Sequence, residues 1–104
     1  MMGTTYSEKR IEEYLSREVS ARGGLCLKYF NPAMTGYPDR LCMLPGGVTF
    51  WVELKAPGKK PRRVQELRHK QLAGLGQSVH VADSPEGVDS ILSAYDEGRR
   101  SHEV

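Results

Sequence analysis

The sequence predicts an α/β fold, a small mixed sheet flanked by helices with elements in the order α-β-β-β-α-β-α. Three observations predict it. Apolar residues recur every four positions within Ser7 to Ala21, the spacing of one helix face. Two runs bounded by turn residues, Arg40 to Leu44 and Val48 to Leu54, read as strands. A helical stretch then precedes a fourth short strand, so that strand is reached by a crossover and pairs in parallel.

Taken in order, Ser7 is a candidate N-cap, Ile11, Leu15 and Val19 mark the inward stripe, and Gly23-Gly24 stops the first helix. Leu25 to Phe30 reads as a strand, followed by a turn-rich link from Asn31 to Asp39 with two prolines and Gly36. Pro45-Gly46-Gly47 joins the next two strands as a hairpin turn, which completes an antiparallel meander. Ala56 to Arg63 is a basic loop, and Val64 to Leu75 reads as a second amphipathic helix ended by Gly76. Val79 to Ala82 is the fourth strand. Ser84 caps a last helix, Pro85 suits its first position, and Glu86 to Tyr95 forms its body. The polar tail from Arg99 to Val104 is expected to fray.

A chain of 104 residues suits one domain, here 1–104 with its core at about 6–95. Apolar residues make up 38% and charged residues 27%, an ordinary globular balance, and a net charge of +2 is too small to imply a nucleic-acid partner by itself. No run approaches the roughly 18 apolar residues of a membrane span. The polar segment Met1 to Arg10 carries no signal-peptide core. These features predict a cytoplasmic protein without a membrane partner. Cys26 and Cys42 are too few for a disulfide framework, lack metal-ligand spacing and are expected as buried free thiols.

The chemistry concentrates in Val48 to Lys55. Alternate strand residues share a face, so Glu53 and Lys55 point the same way beside Trp51. If Pro45 to Gly47 makes the hairpin, Asp39 and Glu53 come to the same end of the sheet as neighbours. Two converging carboxylates repel unless a cation lies between them, and oxygen ligands select a hard ion, Mg²⁺ or Mn²⁺. The Leu54 carbonyl is a further candidate ligand. Lys55 places a positive charge where negative charge develops on a phosphate, the equipment of phosphodiester hydrolysis. Glu-x-Lys alone is no more than an edge-strand ion pair; Pro38-Asp39 ahead of the neighbouring strand gives it weight.

On the first helix, Glu8 and Glu12 border the apolar stripe, while Arg10, Glu13 and Arg17 face solvent. One of the two acids is a candidate for the metal centre. Spacing leaves both open and favours Glu12 slightly, as the one further inside the helix. Lys59, Lys60, Arg62, Arg63 and Arg68, with His69, follow the candidate catalytic strand and are placed to grip a phosphate backbone. Gln65 and His69, four apart, share a helix face bordering Leu72 and Leu75, and Gln65 is a candidate for positioning water or phosphate.

Together Gly36-Tyr37-Pro38-Asp39-Arg40, Glu53-Leu54-Lys55-Ala56-Pro57-Gly58, Gln65 with His69, and the opening Glu8-x-x-Ile11-Glu12 resemble the VRR-NUC (virus-type replication-repair nuclease) domain of the PD-(D/E)XK nuclease superfamily. The resemblance spans about residues 6 to 95. It implies a restriction-endonuclease-like core, with Asp39 and Glu53 as metal ligands, Lys55 as catalytic lysine and Gln65 as the motif glutamine. It also implies an acid on the first helix. Stand-alone phage and bacterial domains of this kind are similar to Holliday-junction resolvases and act as homodimers. The resulting expectation is an Mg²⁺- or Mn²⁺-dependent, structure-selective DNA endonuclease, acting on branched DNA such as four-way junctions as a homodimer, without a small-molecule cofactor. The alternative is a non-catalytic branched-DNA-binding module on the same fold.

Overall fold

A computed structural model describes residues 7–100, and for Arg99 and Arg100 the backbone only. Helix α1 (Glu8–Ala21) leads into strands β1 (Leu25–Lys28), β2 (Arg40–Leu44) and β3 (Val48–Leu54); helix α2 (Arg63–Gly74), strand β4 (Val79–Ala82) and helix α3 (Pro85–Arg100) follow. The sheet order is β1-β2-β3-β4. The first three strands run antiparallel, and β4 lies parallel to β3. The expected mixed α/β order is what the structure shows. Among the described residues no helix is long and apolar enough to cross a membrane.

Helix α1 starts where Ser7 Oγ accepts the Arg10 amide at 3.1 Å. It buries Ile11, Leu15 and Val19 against one face of the sheet, where Cys42, Leu44, Phe50, Val52 and Leu54 point inward with Ala82, Val88 and Leu92. Removing such a side chain typically costs about 2–5 kcal/mol. Phe50 also stacks on Tyr95 of α3, with ring centroids 4.3 Å apart. Ser84 caps α3 through the Gly87 amide at 2.9 Å. The helix passes well beyond Tyr95, where the sequence pattern ends, because Arg22 at the C-terminus of α1 holds Asp96 through three hydrogen bonds of 2.8–3.1 Å. Of the tail expected to fray from Arg99 to Val104, Arg99 and Arg100 continue α3, and 101–104 lie outside the described residues.

Cys26 and Cys42 face each other across β1 and β2, with the sulfurs 3.7 Å apart and both thiols free. Cys42 is buried and Cys26 half-buried. Strand β1 ends at Lys28, two residues short of expectation, although the Tyr29 amide still donates to the Asp39 carbonyl at 2.9 Å.

Helix α2 departs from the amphipathic reading. Leu67 and Leu75 are 57% and 74% exposed, and only Gln65 and Leu72 are buried. Polar contacts seat this helix instead. Tyr37 Oη donates to Gln71 at 2.7 Å, Arg68 Nε donates to the Thr35 carbonyl at 2.9 Å, and the Arg68 guanidinium lies 4.8 Å from the centre of the Tyr37 ring.

Gly36 lies where the 31–39 link meets α2. Its φ is +94°, and a Cβ there would come within 2.9 Å of Val64 Cγ2 and 3.1 Å of the Val64 carbonyl. Gly46, with a φ of +92°, has open space around it. Gly46→Ala is expected to cost about 1–2 kcal/mol, the price of a left-handed backbone at a residue with a Cβ. Gly36→Ala should cost more, because the clash adds to the same strain. Chemical denaturation of the two variants checks this; equal losses would show that the 31–39 link gives way.

Candidate active site

The hairpin register puts the acids together. Arg40 pairs with Val52, so one step outward Asp39 stands opposite Glu53. Asp39 is fixed there by the Leu54 amide, which donates to its Oδ2 at 2.7 Å. The buried Pro38 just before it restricts the chain on entry. Glu53 points away from the apolar core, towards α2, and is nonetheless only 1% exposed.

The partners of Glu53 come from three directions. Gln65 Nε2 donates to its Oε2 at 3.0 Å, Lys55 Nζ approaches the same oxygen at 3.8 Å, and His69 Nε2 lies 3.4 Å from Oε1. The orientation of the Gln65 amide is set at both ends, because its Oε1 accepts the Arg62 amide at 2.7 Å at the start of α2. Lys55 is held just past β3 by the hydrogen bond that its backbone N–H donates to the Ala82 carbonyl at 3.0 Å.

Burial pushes the Glu53 carboxyl up to about 8, helped by the charge of Asp39 and a hydrogen bond to it; Lys55 opposes the shift and Glu8 adds to it. Burial lowers the His69 imidazole below its ordinary value, so it is neutral near pH 7. Two acids competing for one proton beside an ammonium group suit a divalent cation. Asp39 and Glu53 are hard oxygen donors, and Mg²⁺ is commonly bound through one or two carboxylates with several waters retained. Among the described residues no cluster of three or more His, Cys, Asp or Glu is close enough to hold an ion. The Leu54 side chain is buried in the core, and its backbone lies between Glu53 and Lys55.

Several residues fall elsewhere than the sequence suggested. Glu12, the favoured helix acid, is bound to Arg40 Nε at 2.9 Å, and that guanidinium also donates to the Cys26 carbonyl at 3.0 Å. Glu8 is the α1 acid whose charge reaches Glu53. His69 faces Glu53 rather than the basic surface, and Arg68 is occupied in clamping α2 to the 31–39 link. Lys59, Lys60, Arg62 and Arg63 are exposed. The loop bearing the first two is tethered where the Gly58 amide donates to Asp83 Oδ2 at 3.1 Å. Sequence reasoning placed Trp51 beside Glu53 but missed the aromatic group to which it belongs. Tyr29 meets Trp51 and Tyr37 edge-on, with centroids 5.1 and 6.0 Å apart. Its signal was present, since Tyr37 and Trp51 each stand two residues before an acid.

Paired acids on adjacent strands, a lysine two residues further on and a glutamine from the next helix, on this order of elements, define a nuclease core. A solved VRR_NUC domain superposes with a TM-score of 0.80 at 32% sequence identity, covering 86% of this chain and 99% of that one. "Putative nuclease p44" of Acyrthosiphon pisum secondary endosymbiont phage 1 is 45% identical over 87 residues, 84% of this chain and 92% of the phage protein. No family model matches the sequence. The chain belongs to the VRR_NUC family of nucleases.

The raised Glu53 carboxyl makes stability depend on pH. Its ordinary value is 4.5 and its folded value about 8, so between these the folded state binds the extra proton. Stability from this group is fully present below about pH 4.5 and is lost as pH rises towards 8, by up to about 1.4 kcal/mol per pH unit. Urea denaturation in EDTA should therefore show Glu53→Gln gaining on the wild type as pH rises from 5 to 8. A constant difference would place the buried proton elsewhere.

Proposed function

We propose that the chain is a divalent-metal-dependent DNA endonuclease selective for branched DNA, four-way junctions in particular, and that it works as a homodimer in the cytoplasm. The observation that carries this reading is the pair of acids across β2 and β3 with Lys55 beside Glu53. Asp39 and Glu53 would hold Mg²⁺ or Mn²⁺, with the Leu54 carbonyl as a third ligand. When bound, such an ion supplies Lewis acidity and lowers the pKa of coordinated water.

The chain's own residues do the rest. Lys55 stabilises charge developing on the phosphate, from a position fixed by the end of β3. Gln65 orients the Glu53 carboxyl and ties it to the start of α2. Neutral His69, with an N–H on Nε2, would donate to the other Glu53 oxygen. Exposed Lys59, Lys60, Arg62 and Arg63 are suited to phosphates flanking the cut. A homodimer would present two such sites, as paired incisions in a symmetric junction require. A binding module without catalysis would have no need of Asp39, Glu53 and Lys55 together.

Incubation with four-way, flap and linear DNA in Mg²⁺, Mn²⁺ or EDTA tests the proposal. Cleavage of branched DNA in either metal and none in EDTA is expected. Asp39→Asn and Lys55→Ala should each lower the rate at least about a hundredfold, a loss typical of removing transition-state stabilisation, while circular dichroism stays unchanged. Full activity in either variant refutes the assignment.

The two acids of α1 separate by their partners. Glu8→Gln is expected to slow cleavage or raise the metal concentration required, with little change in melting temperature, because Glu8 is exposed and acts on the Glu53 site through its charge. Glu12→Gln should instead lower stability, by about 1–3 kcal/mol, since it leaves Arg40 without its carboxylate. Thermal melts paired with metal titrations of activity decide between them, and the opposite pattern would make Glu12 the helix acid.

A further inference from the structure

Beside Asp39 the protein holds a cavity of about 200 Å³. Tyr29, Phe30, Met34 and Tyr37 form its walls, and Asp39 and Gln65 close the side towards the acids. The cavity is below the roughly 300–1,000 Å³ of pockets for drug-sized ligands, and it equals the share of about seven waters in the liquid. That space suits one planar ring system rather than a whole nucleotide.

The residues around it are held firmly for so exposed a position. Asn31 Oδ1 accepts the amides of Ala33 and Met34 at 3.2 and 3.1 Å, and Arg68 holds the Thr35 carbonyl. Tyr29 is fixed edge-on between Tyr37 and Trp51, and its hydroxyl accepts from Asn31 Nδ2 at 3.1 Å. Phe30, at the lip, is nevertheless 84% exposed and Met34 43% exposed. Arg62 also borders the opening, a charge suited to the backbone of whatever enters.

We propose that this cavity takes one unstacked nucleobase of the DNA, that of the nucleotide adjoining the phosphate at Asp39 and Glu53. The inference rests on the nuclease reading of those acids and deepens it by naming what makes DNA a substrate. A base inside a continuous duplex does not reach such a cavity without leaving its stack, and that step is easiest where the base is already unpaired. Stacking on aromatic rings tolerates any base. The cavity therefore selects for unpaired nucleotides beside the cut, as at a branch point, and not for sequence.

A double-mutant cycle tests this. Four-way and flap DNA carrying single abasic sites on either side of the branch are titrated with wild-type protein and Phe30→Ala by fluorescence anisotropy in Ca²⁺, and cleaved in parallel in Mg²⁺ and Mn²⁺. The exposure of Phe30 means the variant keeps the fold, and Met34→Ala provides a second lesion in the same wall. At one position the abasic site should weaken wild-type binding about tenfold, Phe30→Ala should weaken binding of intact DNA by a similar factor, and the two losses should not add. Phe30→Trp should restore affinity. Wild-type affinity in both Phe30→Ala and Met34→Ala, or losses that add at every position, would overturn the cavity assignment. Cleavage without this coupling removes the cavity and keeps the nuclease; coupling without cleavage in either metal removes the nuclease and keeps the cavity.

Discussion

Glu53 places a carboxyl group, 1% exposed, on the α2 side of the sheet directly opposite a second carboxylate. A carboxylate at such a site is costly unless it is protonated or compensated, and both remedies are visible: the group is pushed up to about 8, and Gln65, Lys55 and His69 surround it. The arrangement of α2 follows from this. The helix buries a single leucine, and its leading buried residue is Gln65, the one bonded to Glu53. Helix α2 is thus seated by polar contacts at the candidate site more than by hydrophobic burial, so changes to Glu53 act on the seat of α2 as well as on the site. Asp39 and Lys55 are cleaner probes, because neither touches α2 through a hydrogen bond described for Glu53.

The opposite face of the sheet supports this cost. There α1 and α3 cover an unbroken apolar layer from Ile11 to Leu92, and no buried side-chain nitrogen or oxygen among the described residues lacks a hydrogen-bond partner. Apolar packing is concentrated on one face and the candidate site lies on the other. Within α1 the same division runs between its two acids. One turn separates Glu8 from Glu12, yet Glu12 is paired with Arg40, and Glu8 is the one that acts on Glu53.

Much of this was legible in the chain. Strands β2, β3 and β4 have the bounds expected from the sequence, β3 from its β-branched and aromatic content and β2 from the turn residues on either side of it. The short turn at Pro45-Gly46-Gly47 sets the register, and the register alone brings Asp39 opposite Glu53. What could not be read were contacts between a helix and something distant in sequence. The choice between Glu8 and Glu12 depends on where the Arg40 side chain goes. The seat of α2 depends on Tyr37 and Thr35, more than thirty residues from their partners. Of the two leucines that marked the apolar face of α2, Leu72 is buried and Leu75 is exposed, and the extension of α3 rests on Arg22, far away at the end of α1.

Gln65 shows how closely the parts are coupled. One amide group accepts the Arg62 N–H that opens α2, donates to Glu53, and forms part of the cavity wall beside Asp39. Each role constrains the others: an amide turned to satisfy the helix start has only its –NH₂ left for the acid, so Glu53 must accept. A phosphate at the paired acids and a base in the aromatic cavity would therefore lie on either side of the same fixed side chain. Their separation is then set by Gln65 and by the 31–39 link, which Tyr37 and Arg68 hold to α2. A spacing fixed in that way would favour a nucleotide already free of its stack, because a base inside a duplex must leave it to reach the cavity.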